Sequence, residues 1–92
     1  MNNSRKQYLK INGKNISGKV IEKYRELRGL SRQDLSDRLL INFELDLPAQ
    51  SIYNIEMLNR TVSDYELFTI FNVLNIDYSI VCTEILNQII NK

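Results

Sequence analysis

The sequence predicts an all-α domain made of five short helices. Its 92 residues include only three Gly and one Pro, and apolar residues after position 15 recur at the spacing of amphipathic helices. Ser precedes three of these apolar stretches, where a hydroxyl can accept a hydrogen bond from an otherwise free backbone N–H. A chain of this length forms one domain, so we expect a compact bundle with short links.

The first two helices are predicted from a repeated local pattern. Ser17 is suited to cap the first helix through its hydroxyl, and Gly29 is suited to end it. Ser31 stands at the same place before the second helix, with Asp34 in its first turn, where a carboxylate favours the helix dipole. We expect this second helix to reach about Asn42.

The third helix is predicted over residues 48–58, because Pro is favoured in the first turn of a helix. Ile52 and Ile55 should face the core. No Gly follows this helix, so a left-handed stop is not expected at Leu58. The segment 43–58 contains three acidic residues and no Lys or Arg.

The last two helices carry the strongest patterns. Residues 63–66 read Ser-Asp-Tyr-Glu, a capping box that opens a helix with a regular apolar face. A fifth helix should begin at about Asp77, and its apolar arc is wider than one core contact requires. Cys82 lies in this arc and is expected to be a small buried residue. The arc either completes the core or forms a dimer contact through Ile80, Ile85 and Ile89.

Composition excludes several functions. The chain has no His and one Cys, so imidazole catalysis, an internal disulfide and a Cys/His zinc site are excluded. The acids are scattered, and there is no Gly-rich phosphate loop or nucleophile elbow, so we expect no catalytic residue, metal or cofactor. No apolar run is long enough for a membrane span, and the N-terminus lacks the apolar part of a signal peptide. The expected location is the cytoplasm.

The net charge of +1 hides an uneven distribution. Residues 1–32 contain nine cations and two acids, whereas residues 33–92 contain three cations and nine acids. We divide the chain into a basic N-terminal arm, 1–15, and a folded domain, 16–92. The arm is either a DNA-wrapping element or a solvated tail that keeps the protein soluble. Tyr8, Leu9 and Ile11 would allow a short strand or an ordered arm.

Three segments together resemble a known family. They are IEKYRELRGLSRQDLSDRL at 21–39, SIYNIE at 51–56 and RTVSDYELFTIFNVLNID at 60–77. In this order and spacing they resemble the phage-repressor/Cro-type helix-turn-helix proteins, also called XRE-type or lambda-repressor-like. The match covers residues 20–76 and implies a double-stranded DNA-binding domain that reads the major groove with helix 48–58.

The resemblance also assigns residues to roles. Positions that match the family's base readers, or lie beside them, are Ala49, Gln50, Ser51, Tyr53 and Asn54. Their chemistry agrees, because Gln and Asn amides can bond adenine and an Ala methyl can contact a thymine methyl. An ordinary solvated helix face is the alternative. Matches to phosphate-contacting positions are Arg32, Gln33, Asn59 and Arg60, and the pair Arg25–Glu56 is expected to be structural.

The resulting hypothesis is a sequence-specific transcriptional regulator, repressor-like, that binds DNA as a homodimer through its C-terminal helix. The alternative is a protein-interaction module, such as an antitoxin or a sequestering regulator, with weak or no DNA binding. The cation-free segment 43–58 and the acidic second half of the chain motivate this alternative.

Overall fold

The computed structural model describes residues 13–90, which form five α-helices and no strand. The helices are α1 (Gly18–Leu27), α2 (Arg32–Phe43), α3 (Ala49–Glu56), α4 (Asp64–Leu74) and α5 (Tyr78–Ile90). The predicted all-α, five-helix architecture is confirmed. The predicted arm lies largely outside the described residues, as do Tyr8, Leu9 and Ile11.

One hydrophobic core joins the five helices. Its buried members come from every helix and from the links between them: Val20, Ile21, Leu30, Leu35, Leu39, Leu47, Ile52, Ile55, Ile70, Phe71, Leu74, Ile76 and Val81. α5 supplies one of these, Val81, with Ile85 packed partly against the core. Most of α5 therefore lies at the edge of the described structure, which measures 46 × 23 × 19 Å.

The width of α5's apolar arc led to a wrong prediction for Cys82. This residue is exposed rather than buried. A helix that contacts the core along one narrow line buries the residues on that line alone. On α5 that line passes through Val81, and its neighbour Cys82 is turned about 100° away.

Asn15, and not Ser17, caps the start of α1. Its Oδ1 accepts hydrogen bonds from the N–H groups of Ser17 at 3.1 Å and Gly18 at 2.7 Å. Its Nδ2 donates to the carbonyl oxygens of Ile55 at 3.0 Å and Arg60 at 2.8 Å. The hydroxyl of Ser17 is buried without a hydrogen-bond partner among the described residues, so its predicted capping role is wrong. One amide thus fixes the start of α1 to the C-terminal end of α3.

The predicted cap at Ser31 and the predicted capping box at Ser63 are confirmed, and the structure shows that Ser31 also forms a capping box, with Asp34. In α2 the Asp34 N–H donates to the Ser31 hydroxyl at 3.0 Å, and the Ser31 N–H donates back to the Asp34 carboxylate at 3.0 Å. Ser63 and Glu66 repeat the arrangement at the start of α4. Gly29 follows α1 with φ +71°, the left-handed conformation that ends a helix and that glycine adopts without strain.

α3 ends at Glu56, two residues before the predicted boundary. Leu58 adopts the left-handed conformation, with φ 64°, contrary to the expectation from the missing glycine. Three backbone bonds hold it there: Leu58 N–H to Ile55 O at 3.0 Å, Asn59 N–H to Asn54 O at 2.8 Å, and Lys14 N–H to Leu58 O at 2.9 Å. Two of these bonds are local and the third is tertiary, so a bond from Lys14 helps to stabilise a stop that the sequence after α3 disfavours.

A buried carboxylate joins the first three helices. Glu56, at the end of α3, is 0% exposed and accepts hydrogen bonds from Arg25 Nε at 2.7 Å, Arg25 Nη2 at 3.1 Å and Arg32 Nε at 2.8 Å. Arg25 also donates Nη1 to the Leu30 carbonyl at 2.8 Å. The hydrogen bond with Glu56 raises the pKa of Arg25 despite the opposing effect of burial, so its charge is secure. The structure thus brings Arg25 and Glu56 together and adds Arg32 to the pair.

Replacing this carboxylate should strongly destabilise the fold. We expect E56Q to lower the free energy of unfolding by about 3–5 kcal/mol, because two guanidinium groups lose their counter-charge. Urea unfolding of E56Q against the native protein measures the loss. The exposed E44Q serves as the matched control and should change stability by less than about 0.5 kcal/mol.

The milder variant R32Q keeps this prediction testable if E56Q does not fold. It removes one donor from a side chain that is partly solvated, so it should cost less than E56Q. Equal unfolding free energies of E56Q and E44Q would show that the buried carboxylate does not hold the three helices together.

Candidate nucleic-acid interface

The outward face of α3 presents three polar side chains. The opposite side of this helix is fixed in the core, and α3 turns about 100° per residue. Gln50 and Tyr53 are therefore exposed, and Asn54 is half-buried beside them, within an arc of about 100°. Ala49 and Ser51, both half-buried, stand at the two edges of that arc. The structure brings together three of the five predicted base-reading residues, with the other two flanking them.

Arg32 stands beside this face. Its guanidinium carbon lies 5.0 Å from the centre of the Tyr53 ring, a cation–π distance. Its Nε is engaged by Glu56, and its Nη2 lies 3.7 Å from a carboxylate oxygen of Glu22. The guanidinium group of Arg32 is thus held by three neighbours, and one of them, Tyr53, belongs to the α3 face.

Arg60 follows α3 and is held by an acidic partner. Its Nη1 and Nη2 donate to the two carboxylate oxygens of Glu66, each at 3.0 Å, and Nη1 also donates to the Thr61 carbonyl at 2.9 Å. Sequence reasoning assigned Glu66 to a capping box and missed this second role. The i, i+6 spacing across a loop carries no local signal that could have revealed it.

The other two predicted phosphate-contacting residues are polar and exposed. Gln33, in the first turn of α2, donates its amide to Asp37 at 2.8 Å. Asn59 lies just beyond α3, with its backbone N–H bonded to the Asn54 carbonyl. Arg32 and Gln33 come from the start of α2, and Asn59 and Arg60 follow the end of α3. The four residues therefore belong to two separate chain segments.

The described part of the chain is negatively charged. Residues 13–90 contain eight Lys and Arg against eleven Asp and Glu, a net charge of −3. The remaining cations are Arg5, Lys6, Lys10 and Lys92, outside the described residues. A polyanion would therefore depend on residues 1–12 for much of its electrostatic attraction to this protein.

The ion pair with Arg60 lowers the pKa of Glu66. Hydrogen bonds from Arg60 hold this pKa below its ordinary value, against the opposing effect of burial, and the Ser63 N–H acts in the same direction. The same contact raises the pKa of Arg60. A carboxylate with a lowered pKa stabilises the folded state above the pKa of the unfolded chain, and this stabilisation is lost as the pH falls through the folded-state value.

The E66Q variant should reveal this pH dependence. It should be less stable than the native protein at pH 7, and the difference should shrink once the pH falls below about 4.3, the ordinary glutamate value. Urea unfolding over a pH series measures it. In an R60Q background the effect of E66Q should be much smaller. A stability difference that stays constant down to low pH would contradict the ion-pair assignment.

Other classes of site find no support in the described residues. Between positions 13 and 90, no three Cys, Asp or Glu side chains are grouped so that they could hold a metal ion. Over the same residues, no helix combines the length and the hydrophobicity needed to cross a membrane.

In comparisons with known proteins, no family model matches the chain, and neither a curated protein nor a solved structure matches it. The assignment of function therefore depends on the residues and their geometry.

Proposed function

We propose that the protein is a sequence-specific double-stranded DNA-binding regulator, repressor-like, acting in the cytoplasm without a cofactor. In this proposal α2 and α3 act as a helix-turn-helix pair, and α3 enters the major groove. The observation that carries the proposal is the outward face of α3. Gln50 and Asn54 present amide groups there, on a helix fixed from behind by Ile52, Ile55 and Glu56.

Rigid support matters for base recognition. Amides discriminate adenine only when held in register with the base edge, and a helix with a buried, ion-paired back meets that requirement. Arg32 adds a cation beside Tyr53. Because Glu56 engages its Nε, the N–H groups of its two Nη atoms could donate hydrogen bonds to a phosphate. Gln33, Asn59 and Arg60 would add further contacts to the DNA backbone.

Alanine substitutions on the α3 face test base recognition. Q50A and N54A should each cost about 1–3 kcal/mol of binding free energy on the preferred duplex and less on random DNA. Selection from a random duplex library identifies the site, and fluorescence anisotropy at fixed salt measures the affinities. The controls Q88A and N42A remove the same amides from exposed positions on α5 and α2. If no duplex binds more tightly than about 10 µM at moderate salt, specific recognition is wrong.

Removal of residues 1–12 tests the source of phosphate affinity. The deletion takes away Arg5, Lys6 and Lys10 but keeps Asn15, which the fold requires. The slope of log affinity against log salt should fall in magnitude by up to about 0.9 for each lost phosphate contact. The unfolding free energy provides the control and should stay close to its original value. An unchanged slope would exclude the N-terminal segment from DNA binding.

The proposed homodimer would use α5, although on different residues from those first expected. Ile80 and Ile85 lie about 140° apart around this helix, so Ile80, Ile85 and Ile89 do not form one stripe. Ile85 packs against the core. The exposed side chains of Cys82, Leu86 and Ile90 fall on one line instead, each four residues from the next.

A charge placed on this line should separate the dimer. We expect the native protein to sediment as a dimer at tens of micromolar and L86E to sediment as a monomer. L40E is the matched control, because Leu40 is an apolar residue of α2 with nearly the same exposure, 52% against 53% for Leu86. A native protein that is monomeric by analytical ultracentrifugation under these conditions would contradict the homodimer.

A second candidate function is a protein-interaction module, for example an antitoxin or a sequestering regulator. The observation that favours it is the net charge of −3 on residues 13–90. A protein of this kind would pass through heparin and DNA columns at moderate salt, whereas the DNA-binding regulator would be retained.

A further inference from the structure

A surface groove unrelated to the α3 face lies along α4. Its volume is about 500 Å³, and its lining includes Tyr65, Phe68, Thr69 and Asn72 of α4. Phe43, at the end of α2, and Tyr78, at the start of α5, also line it. It shares no residue with the proposed DNA interface, so its occupant would be a different partner.

The aromatic rings of the groove are oriented yet open. Tyr78 packs edge-on against Phe68, with ring centres 5.9 Å apart and an interplanar angle of 73°, and it also contacts Phe71 at 5.6 Å. The Tyr65 hydroxyl donates to the Phe43 carbonyl at 3.3 Å. Even so, Tyr65, Phe68 and Tyr78 remain 55%, 56% and 45% exposed. Half-exposed aromatic rings grouped in this way are typical of an interaction surface.

The charged residue that lines the groove is acidic, and two further acids are sequence neighbours of lining residues. Asp64 lines it from the first turn of α4, where the helix dipole favours a carboxylate. Glu44 follows Phe43 in the chain, and Asp77 precedes Tyr78. Hydrogen bonds from Ser79 lower the pKa of Asp77, so this carboxylate stays ionised at neutral pH. Residues 61–90 contain no Lys or Arg, and none lines the groove.

The Asp64 carboxylate is the group that could anchor an occupant of the groove. The Thr69 hydroxyl is bonded to the carbonyls of Tyr65 and Glu66 in its own helix, at 2.8 and 2.9 Å. The remaining polar side-chain groups in the lining are the Asn72 amide, the Tyr78 hydroxyl and the Asp64 carboxylate, and of these the carboxylate alone carries a charge. Aromatic faces and a carboxylate together attract a cation, the rings through their quadrupoles and the carboxylate through its charge.

We propose that this groove binds an Arg or Lys side chain of a partner protein, stacked on the exposed rings and paired with Asp64. Charge complementarity selects a cationic occupant, because the lining contains a carboxylate and no cation. The openness of the rings selects a side chain carried on a polypeptide, since sites for small molecules enclose most of their ligand. The partner is therefore a protein that presents a basic residue flanked by apolar ones.

Titration with a pair of blocked peptides tests the proposal on the full chain. The probe is acetyl-Gly-Leu-Arg-Leu-Gly-amide, and its counterpart carries citrulline, which has nearly the shape of arginine without the charge. The readout is the aromatic NMR spectrum, followed at the rings of Tyr65, Phe68 and Tyr78. We expect saturable shifts at these rings with the arginine peptide, and binding at least about tenfold weaker with citrulline.

Two variants and one control locate the binding. D64N should weaken the arginine peptide severalfold, and F68L, which keeps apolar volume but removes the ring, should do the same. D46N removes an exposed acid outside the groove and should leave the affinity unchanged. Equal binding of the two peptides, or equal affinity of D64N and D46N, would overturn the proposal.

The chain's own basic N-terminal residues are the competing occupant. A deletion of residues 1–12 that shifts the same three rings in the absence of peptide would assign the groove to this segment and would overturn the proposal of a partner protein.

Discussion

The arrangement of the first three helices depends on one buried carboxylate, that of Glu56. Taking such a charge out of water costs several kcal/mol unless hydrogen bonds and opposite charges compensate. Two guanidinium groups from α1 and α2 do so here, at distances of 2.7 to 3.1 Å. Each guanidinium can hydrogen-bond to the carboxylate only from its own direction. The three helices therefore have little freedom to slide past one another. Apolar packing alone would fix their separation less specifically.

This constraint accounts for the character of the α3 surface. Once Ile52, Ile55 and Glu56 face inward, helical geometry leaves Gln50, Tyr53 and Asn54 facing outward. Arg32 connects the two sides, because it bonds to the buried carboxylate and also lies against the exposed Tyr53 ring. The same interaction that stabilises the fold thus holds a cation at the edge of the candidate interface.

Sequence reasoning was accurate where the physics is local. The cap at Ser31, the capping box at Ser63 and the inward positions of Ile52 and Ile55 depend on residues within one or two helical turns, and each is observed. It failed where a distant segment decides the outcome. Asn15 displaces Ser17 as the cap because it also reaches carbonyls 40 and 45 positions away, and the left-handed Leu58 depends on a bond from Lys14.

The candidate interface shows the same division. That Gln50 and Asn54 share a face follows from their spacing alone. The ion pairs of Arg32 with Glu56 and of Arg60 with Glu66 depend on how helices and loops meet, so a cation count could not reveal them. The acidic aromatic groove is likewise assembled from α2, α4 and α5, whose residues are separated in the sequence by up to 35 positions.

The bond between the Lys14 N–H and the Leu58 carbonyl has a consequence for folding kinetics. It joins positions that are 44 residues apart in the sequence, so a long loop must close before the bond can form. Contacts of such sequence separation form more slowly than the local bonds within each helix. We therefore expect the end of α3 to take its final conformation only after the helices themselves have formed.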